Sequence, residues 1–308
     1  MNAEFYLFDV EQGQCAALYL PNGRWCIFDV GRTATFSPIE WIAANDRNSL
    51  IVQALGGQPR FGFLKSTVSH LHGDHLADYT NLVRFGPQYL LSVIPDEAYL
   101  RDCYATCSDA RAKSLIRGFA SHYGALGPAT SPPDYGGAAI TEALLPVAVA
   151  RVLGGDANAR VNNASIITRI DVHATSILLC GDLEKEAWEA VLADRQVLGS
   201  QWRALAFGVD ILVAPHHGHK SGYSATLMNL ARPKVVLASV VSKDPHVDSR
   251  YSQDPVQGIH VGENDYTLIT TRKQGHIRVT IPPPDTAGSP SARQWSFGFQ
   301  ALVQDSIL

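Results

Sequence analysis

Short apolar runs closed by turn signals recur along the chain. EFYLFDV (4–10), QCAALYLP (14–21) and RWCIFDV (24–30) mix aromatic and aliphatic residues, as buried strands do. PNG at 21–23 is a turn signal, so the last two predict an antiparallel hairpin. NSLIVQAL (48–55) fits a short helix and FGFLKSTVS (61–69) a buried strand. HLADYTNLVRF (75–85) has helical spacing, with Leu76, Tyr79, Leu82 and Val83 on one face. Helical pieces are expected around 96–123, and GPATSPPDYGG (127–137) reads as a loop.

Strand signals return in the second half. SIITRIDV (165–172) and TSILLCGD (175–182) predict a second hairpin. LEKEAWEAVLADR (183–195) predicts a helix whose first turn is acidic, as the helix dipole prefers. VDILVAP (209–215), PKVVLASV (233–240), YTLITT (266–271) and HIRVTI (276–281) predict further strands. Helices are expected at 222–231 and 249–257. Strands then helices, twice over, suit an α/β fold: a four-layer αββα sandwich of two packed sheets with helices outside. One domain over 1–308 is expected, with an insertion around 96–155 and a C-terminal tail at 282–308.

The chemistry concentrates in SHLHGDHLAD (69–78), which ends an apolar run with His70, His72, Asp74 and His75. Imidazole and carboxylate are ligands for zinc, manganese or iron. Alternate residues of an extended segment point the same way, so His70 and His72 can grip one ion. The turn at Gly73 lets Asp74 and His75 face a second, and paired ions need a bridging ligand from elsewhere. Three later strands each end in ligand-type residues: Asp182 in CGD; His216, His217 and His219 in APHHGHKSG; His246 in SVVSKDPH. Function in layered α/β proteins gathers at such ends.

Bulk properties narrow the field only slightly. At 308 residues, 46% hydrophobic and 18% charged, the composition is that of an ordinary globular protein. A net charge of −4 gives no general basic footprint for nucleic acid, although 201–260 carries six Lys/Arg against four Asp/Glu and five of the eleven histidines. The N-terminus lacks the pattern of a signal peptide, and no apolar run approaches the ~18–20 residues that span a bilayer. Five scattered cysteines suggest a reduced compartment, and Cys103 and Cys107 read as structural thiols. A cytoplasmic protein without a membrane partner is expected. Arg111, Lys113 and Arg117 could form a basic helix face for phosphates, but read first as a solvated face. His173, His260 and His276 read as ordinary surface or hydrogen-bonded histidines.

H-x-H-x-D-H, then GD, then a late histidine resembles the metallo-β-lactamase fold superfamily. FDVEQGQCAALYLPNGRWCIFDVG, NNASIITRI…ILLCGDLEKEA and VDILVAPHHGHKSGYS resemble its ComEC-like branch, the nuclease-like domain of DNA-uptake channels and its free-standing relatives. The likeness runs from about residue 5 to 281, outside 96–155. It implies that His70 and His72 hold one ion, Asp74 and His75 a second, that Asp182 bridges them, and that His246 completes the second site. It makes His217, 35 residues after Asp182, a proton donor or phosphate contact. Asp74 and His217 become the candidate catalytic side chains, and Asp29 a buried support of the ligand loop. Departures are Asn162 or Asn163 where the superfamily has a histidine, Glu11 and Gln14 in the hairpin, and His219 where serine is usual. Asn162, Asn163, His216 and His219 are candidate metal or substrate contacts. An amide oxygen in place of imidazole leaves two divalent ions, zinc first and manganese second.

The function these implications favour is a metal-dependent phosphodiesterase, a nuclease first, with nucleic acid as the partner. A hydrolase of a small ester, lactone, thioester or cyclic nucleotide is the alternative. A non-catalytic metal-binding subunit is the third reading.

Overall fold

The computed structural model describes residues 1–48, 62–124, 133–241, 247–284 and 295–300. Seven strands form the first sheet: β1 (Ala3–Leu7), β2 (Ala16–Tyr19), β3 (Trp25–Phe28), β4 (Phe63–Val68), β5 (Pro87–Ser92), β14 (His276–Ile281) and β15 (Ser296–Gln300). Their spatial order is β15-β14-β1-β2-β3-β4-β5. The second sheet, in the order β13-β10-β9-β8-β7-β6, comprises β6 (Ala139–Ala143), β7 (Ile167–Val172), β8 (Thr175–Leu179), β9 (Ile211–Val213), β10 (Val235–Ala238) and β13 (Leu268–Thr270). A small antiparallel ribbon, β11 (Ile259–Val261) with β12 (Asn264–Tyr266), stands apart.

Both predicted hairpins form, β2 with β3 and β7 with β8. Every residue of β1 to β4 is buried, because these strands are covered on both faces. Alternation then sorts the side chains. Phe5, Leu7, Leu18, Cys26 and Phe28 meet Ile170, Ile177, Leu179, Ile211, Val213, Val235 and Leu237 in one apolar layer between the sheets. Tyr6, Phe8, Tyr19, Trp25 and Ile27 belong to the other core, under the helices, with Leu178, Leu212 and Val236 of the second sheet. Trp188 and Trp202 cross edge to face there, with centroids 5.5 Å apart. The chain is thus an αββα sandwich. A buried ion pair, Lys65 Nζ to Glu142 Oε2 at 2.7 Å, joins β4 of one sheet to β6 of the other.

Helices occupy Pro38–Asn45, Tyr79–Phe85, Glu97–Thr106, Ala110–Gly124, Val147–Leu153, Ala157–Asn162, Lys185–Ala193, Val197–Ala206, Ala225–Ala231 and Thr271–Gln274. Ser37, Asp96, Asp156 and Ser224 cap four of them by accepting a backbone N–H. Two helical expectations need correction. In Tyr79–Phe85 the buried face includes Phe85, whereas Val83 is 42% exposed. At 249–257 only a 3-10 turn, Ser249–Ser252, forms, because Pro255 has no N–H to continue a helix. The helix expected at 48–55 lies almost wholly outside the described residues. Among the described residues no helix is long and apolar enough to cross a membrane.

The region 96–155 is tied to the rest. It supplies β6 to the second sheet, and the Tyr99 hydroxyl accepts from the Leu71 N–H inside the histidine loop at 3.2 Å. Asp102 takes bonds from both Arg151 and Arg160.

His276 opens β14 beneath Phe8 and Phe36, and its Nδ1 accepts from the Asp9 N–H at 2.8 Å. Burial lowers its pKa from 6.5 to about 4. The unfolded chain therefore takes up this proton first, between pH 6.5 and about 4, and the stability that the neutral ring contributes is lost as pH falls through that window. Urea unfolding of wild type and His276→Gln across this range should show the wild-type advantage greatest above pH 6.5 and shrinking toward pH 4. Parallel pH curves would contradict the assignment.

Candidate metal centre

The ends of β3, β4, β8 and β9 meet at one edge of the sandwich. β3 and β4 run parallel, and so do β8 and β9, so their C-terminal ends point the same way within each sheet. Asp29 follows β3, Ser69 to His75 follow β4, Asp182 follows β8, and His216 and His217 follow β9.

Asp182 is the centre. Its side chain is 4% exposed, and three imidazoles face it: His217 Nε2 at 3.4 Å, His75 Nε2 at 3.5 Å and His70 Nε2 at 3.8 Å. The ligand-type atoms fall into two compact groups, His70 with His72 and Asp182, and Asp74 with His75 and His217. His70 Nε2 and His72 Nδ1 stand 3.0 Å apart. Two nitrogens sharing one zinc at ~2.0–2.1 Å in tetrahedral geometry would lie about 3.3 Å apart.

Charge explains why such a cluster is tolerable. Burial alone would raise the Asp182 pKa, but His217 and His75 outweigh it and hold the carboxyl well below its usual range. Burial disfavours the charged forms of His75 and His217 too, yet Asp182 (with Asp29 beside His75) raises both. Burial, helped by neighbouring imidazoles, pushes His70 and His72 down, leaving neutral rings with lone pairs to offer. A buried carboxylate with imidazoles around it draws positive charge, and a divalent cation supplies it while releasing protons from the rings.

The unsatisfied atoms point the same way. Asp182 Oδ1, His75 Nε2 and both ring nitrogens of His217 are buried without a hydrogen-bond partner among the described residues. Orphaned polar atoms are costly, and so many in one place fit a site for cations.

The outer atoms of the rings are held by the protein. His75 Nδ1 lies 3.0 Å from Asp29 Oδ2. Asp29 also accepts from the Ser69 N–H at 2.7 Å and the Ser69 hydroxyl at 2.9 Å, and from Gln14 Nε2. His70 Nδ1 faces the hydroxyls of Ser69 at 3.0 Å and Ser165 at 3.3 Å. Ser165 also accepts from the Asp182 N–H, linking the two halves of the site. Gly13, at φ +106°, lies so close to the Asp74 carbonyl that a Cβ would collide with it. Hairpin and ligand loop are therefore fitted to one another.

His216 and His217 adopt left-handed backbone at φ +49° and +56°, followed by Gly218 at +80°. Non-glycine residues rarely hold this conformation, and strain of this kind gathers at functional sites. The turn brings His217 into the cluster. His216 instead bonds Ser221 Oγ through Nδ1 at 2.7 Å and lines the cavity, and His219 bonds the same hydroxyl at 3.0 Å.

Of the two asparagines, Asn162 lines the cavity and leaves its Oδ1 unpartnered, while its amide donates to Glu184. Asn163 accepts from the Glu184 backbone. Glu11 lies in left-handed backbone on the exposed hairpin tip, and Gln14 is bound to Asp29. His246 lies outside the described residues. His217 is the sequence candidate whose place differs most from the expectation, since it groups with Asp74 and His75 as a ligand-type residue.

A cavity of ≈ 540 Å³ opens over the cluster. The helix Ala110–Gly124 forms one wall, bringing exposed Arg111 to it, with Cys107 and Asn158 nearby. Arg111 is thus part of the cavity, whereas Lys113 and Arg117 are exposed elsewhere on the helix. Cys107 is half-buried and donates to the Cys103 carbonyl, and all five cysteines are free thiols. Sequence reasoning missed Ser69, Ser165 and Glu184, and set the phosphate-facing reading of Arg111 second. The serines had a signal, because a ligating imidazole needs a partner for its other nitrogen.

No known protein-family pattern matches the chain. A protein of Escherichia coli strain K12, YcaI, described as uncharacterized, is 28% identical over 124 residues, 38% of this chain. That match spans only 15% of YcaI. Among solved structures, a protein from Thermotoga maritima assigned as a Zn-dependent hydrolase of the metallo-β-lactamase superfamily is similar over 76% of this chain and 74% of its own, with a TM-score of 0.34 and 11% identity. Human tRNase Z, short form, is similar over 78% of this chain and 93% of its own, with a TM-score of 0.34 and 14% identity.

Asp29→Ala removes the carboxylate that orients His75 and anchors Ser69. Loss of such a supporting partner should weaken zinc affinity on the order of 10–100-fold, read by competition with a chelator. Unchanged affinity would show that Asp29 serves only folding.

Proposed function

We propose that this chain is a metal-dependent hydrolase of the metallo-β-lactamase superfamily, of the ComEC-like kind, that cleaves phosphodiesters and acts first as a nuclease. The observation that carries the proposal is the convergence of His70, His75 and His217 on buried Asp182. His70, His72 and Asp182 would hold one divalent ion, and Asp74, His75 and His217 a second, with Asp182 between them and His246 as a further ligand. Zinc suits this set first and manganese second.

When bound, such ions supply Lewis acidity and ease the ionisation of water toward neutral pH. The chain supplies the rest. Asp29, Ser69 and Ser165 fix the tautomer and direction of the rings. Asp74, half-buried at the cavity, would hold a proton of the attacking water. Arg111, on the cavity wall that its helix forms, would offer a guanidinium to phosphate oxygens. Asn162 lines the same cavity, and its buried amide oxygen is without a hydrogen-bond partner. The five free thiols agree with a reducing, cytoplasmic setting.

A small ester or cyclic nucleotide is the second reading, favoured by the cavity itself. At ≈ 540 Å³ it is the size of a small-molecule site.

Bis(p-nitrophenyl) phosphate, single-stranded DNA and RNA, each with zinc or manganese, test the proposal. Wild type should cleave at least one, and Asp182→Ala none. Cleavage that survives Asp182→Ala would overturn the assignment, and cleavage of carboxylic esters alone would select the second reading.

Arg111→Ala should raise KM for a phosphodiester by roughly 10–100-fold, the worth of about 1.5–3 kcal/mol for a charge-assisted bond. An unchanged KM would return Arg111 to the solvent-exposed role that its sequence context suggests.

A further inference from the structure

His216 lines the cavity over the cluster but belongs to neither group of ligand-type atoms. Its backbone is locked in the left-handed region at φ +49°. Its N–H donates to the Gly181 carbonyl at 3.0 Å, and its carbonyl accepts from the His219 N–H at 2.8 Å. The ring therefore has a fixed place on the wall, and the side chain is 26% exposed.

One hydroxyl, that of Ser221, stands between two imidazoles. Its Oγ is 2.7 Å from His216 Nδ1 and 3.0 Å from His219 Nδ1. The Ser221 backbone N–H also donates to His219 Nδ1, at 3.3 Å, so that nitrogen is an acceptor without a proton. The Ser221 O–H then donates to His219 Nδ1, and its oxygen accepts the Nδ1–H of His216. The Glu184 carboxylate, 3.7 Å from His216 Nδ1, favours a proton on that nitrogen. Burial disfavours the charged form of the ring. His216 is thus a neutral imidazole whose Nε2 carries a lone pair. Nε2 has no hydrogen-bond partner among the described residues and remains accessible, unlike His75 Nε2 and both ring nitrogens of His217.

The rest of the lining narrows the donor that this lone pair would meet. Among the described residues no Phe, Tyr or Trp lines the cavity, so it offers a base no stacking platform. Thr106, Ser108, Asn158 and Arg111 give it a largely polar wall, suited to sugar and phosphate.

We propose that the site acts on phosphodiesters of ribose, RNA before DNA, with His216 Nε2 accepting the hydrogen bond of a 2′-hydroxyl beside the phosphate. The inference rests on the phosphodiesterase reading above. The 2′-hydroxyl is the donor that every ribonucleotide carries and every deoxyribonucleotide lacks. DNA would fill the cavity and leave the Nε2 lone pair without a partner.

Calorimetry on the zinc-loaded chain should show AMP binding roughly 3–10-fold tighter than 2′-deoxy-AMP or 2′-fluoro-2′-deoxy-AMP, the worth of one neutral hydrogen bond. Fluorine keeps a ribose-like sugar pucker and removes the donor, so it separates the hydrogen bond from the sugar shape. His216→Ala should bring the three affinities together. The same ratio should appear in kcat/KM for an RNA oligomer against its 2′-fluoro counterpart and collapse in the variant. 3′,5′-cyclic AMP against its own 2′-fluoro form tells a cyclic ribonucleotide from RNA as the source of the hydroxyl. A general defect in folding would weaken all probes alike and leave the ratios standing. Equal affinity for the three nucleotides, or ratios unchanged in His216→Ala, would overturn the inference. Selective AMP binding without cleavage of any phosphodiester would overturn the phosphodiesterase reading and uphold the ribose contact.

Discussion

One buried carboxylate organises this end of the molecule. Asp182 is taken out of water at the mouth of a strand, where an isolated charge is very costly unless it is paired. Three imidazoles from two further segments surround it, and the positive charge that they attract is what makes its burial affordable. The surrounding bonds follow from this need. Ser165 ties the Asp182 backbone to His70, Asp29 ties His75 to Ser69, and Gln14 ties the opening hairpin to Asp29. A change to Ser165 or Asp29 reaches the cluster through a single bond, and one to Gln14 through two.

The sandwich exists in a form that delivers those segments to one edge. The apolar layer between the sheets fixes β3 and β4 opposite β8 and β9. Loops that leave parallel strands at their C-terminal ends then meet without any of them having to be long. The helices Glu97–Thr106 and Ala110–Gly124 complete the enclosure from outside, and Tyr99 reaches into the histidine loop to hold the Leu71 backbone. Rigid support of this kind is what a site of neutral imidazoles and charged carboxylates needs.

Much of this was legible in the chain. Periodicity marked the strands because they are buried on both faces and read as continuous apolar runs. The H-x-H-x-D-H loop and the GD at the end of a strand were legible because ligand-type residues are rarely placed there otherwise. Other features depended on three-dimensional coincidence. His217 joins Asp74 and His75 only because two consecutive non-glycine residues turn left-handed, which PHHG does not announce. Arg111 looked like one of a solvated trio until its helix was set against Gly73, whose Cβ would lie 3.0 Å from Ala112. The helix expected at 249–257 failed on a local rule, the proline within it.

The central claim is that the cluster around Asp182 is a site for two cations. Metal content measures it most directly: wild type and Asp182→Ala, each incubated with zinc, desalted and analysed by mass spectrometry of the elements. The account predicts about two zinc ions per wild-type chain and a loss of at least one in the variant. A wild-type chain that retains no metal, or a variant that retains as much as wild type, would contradict it.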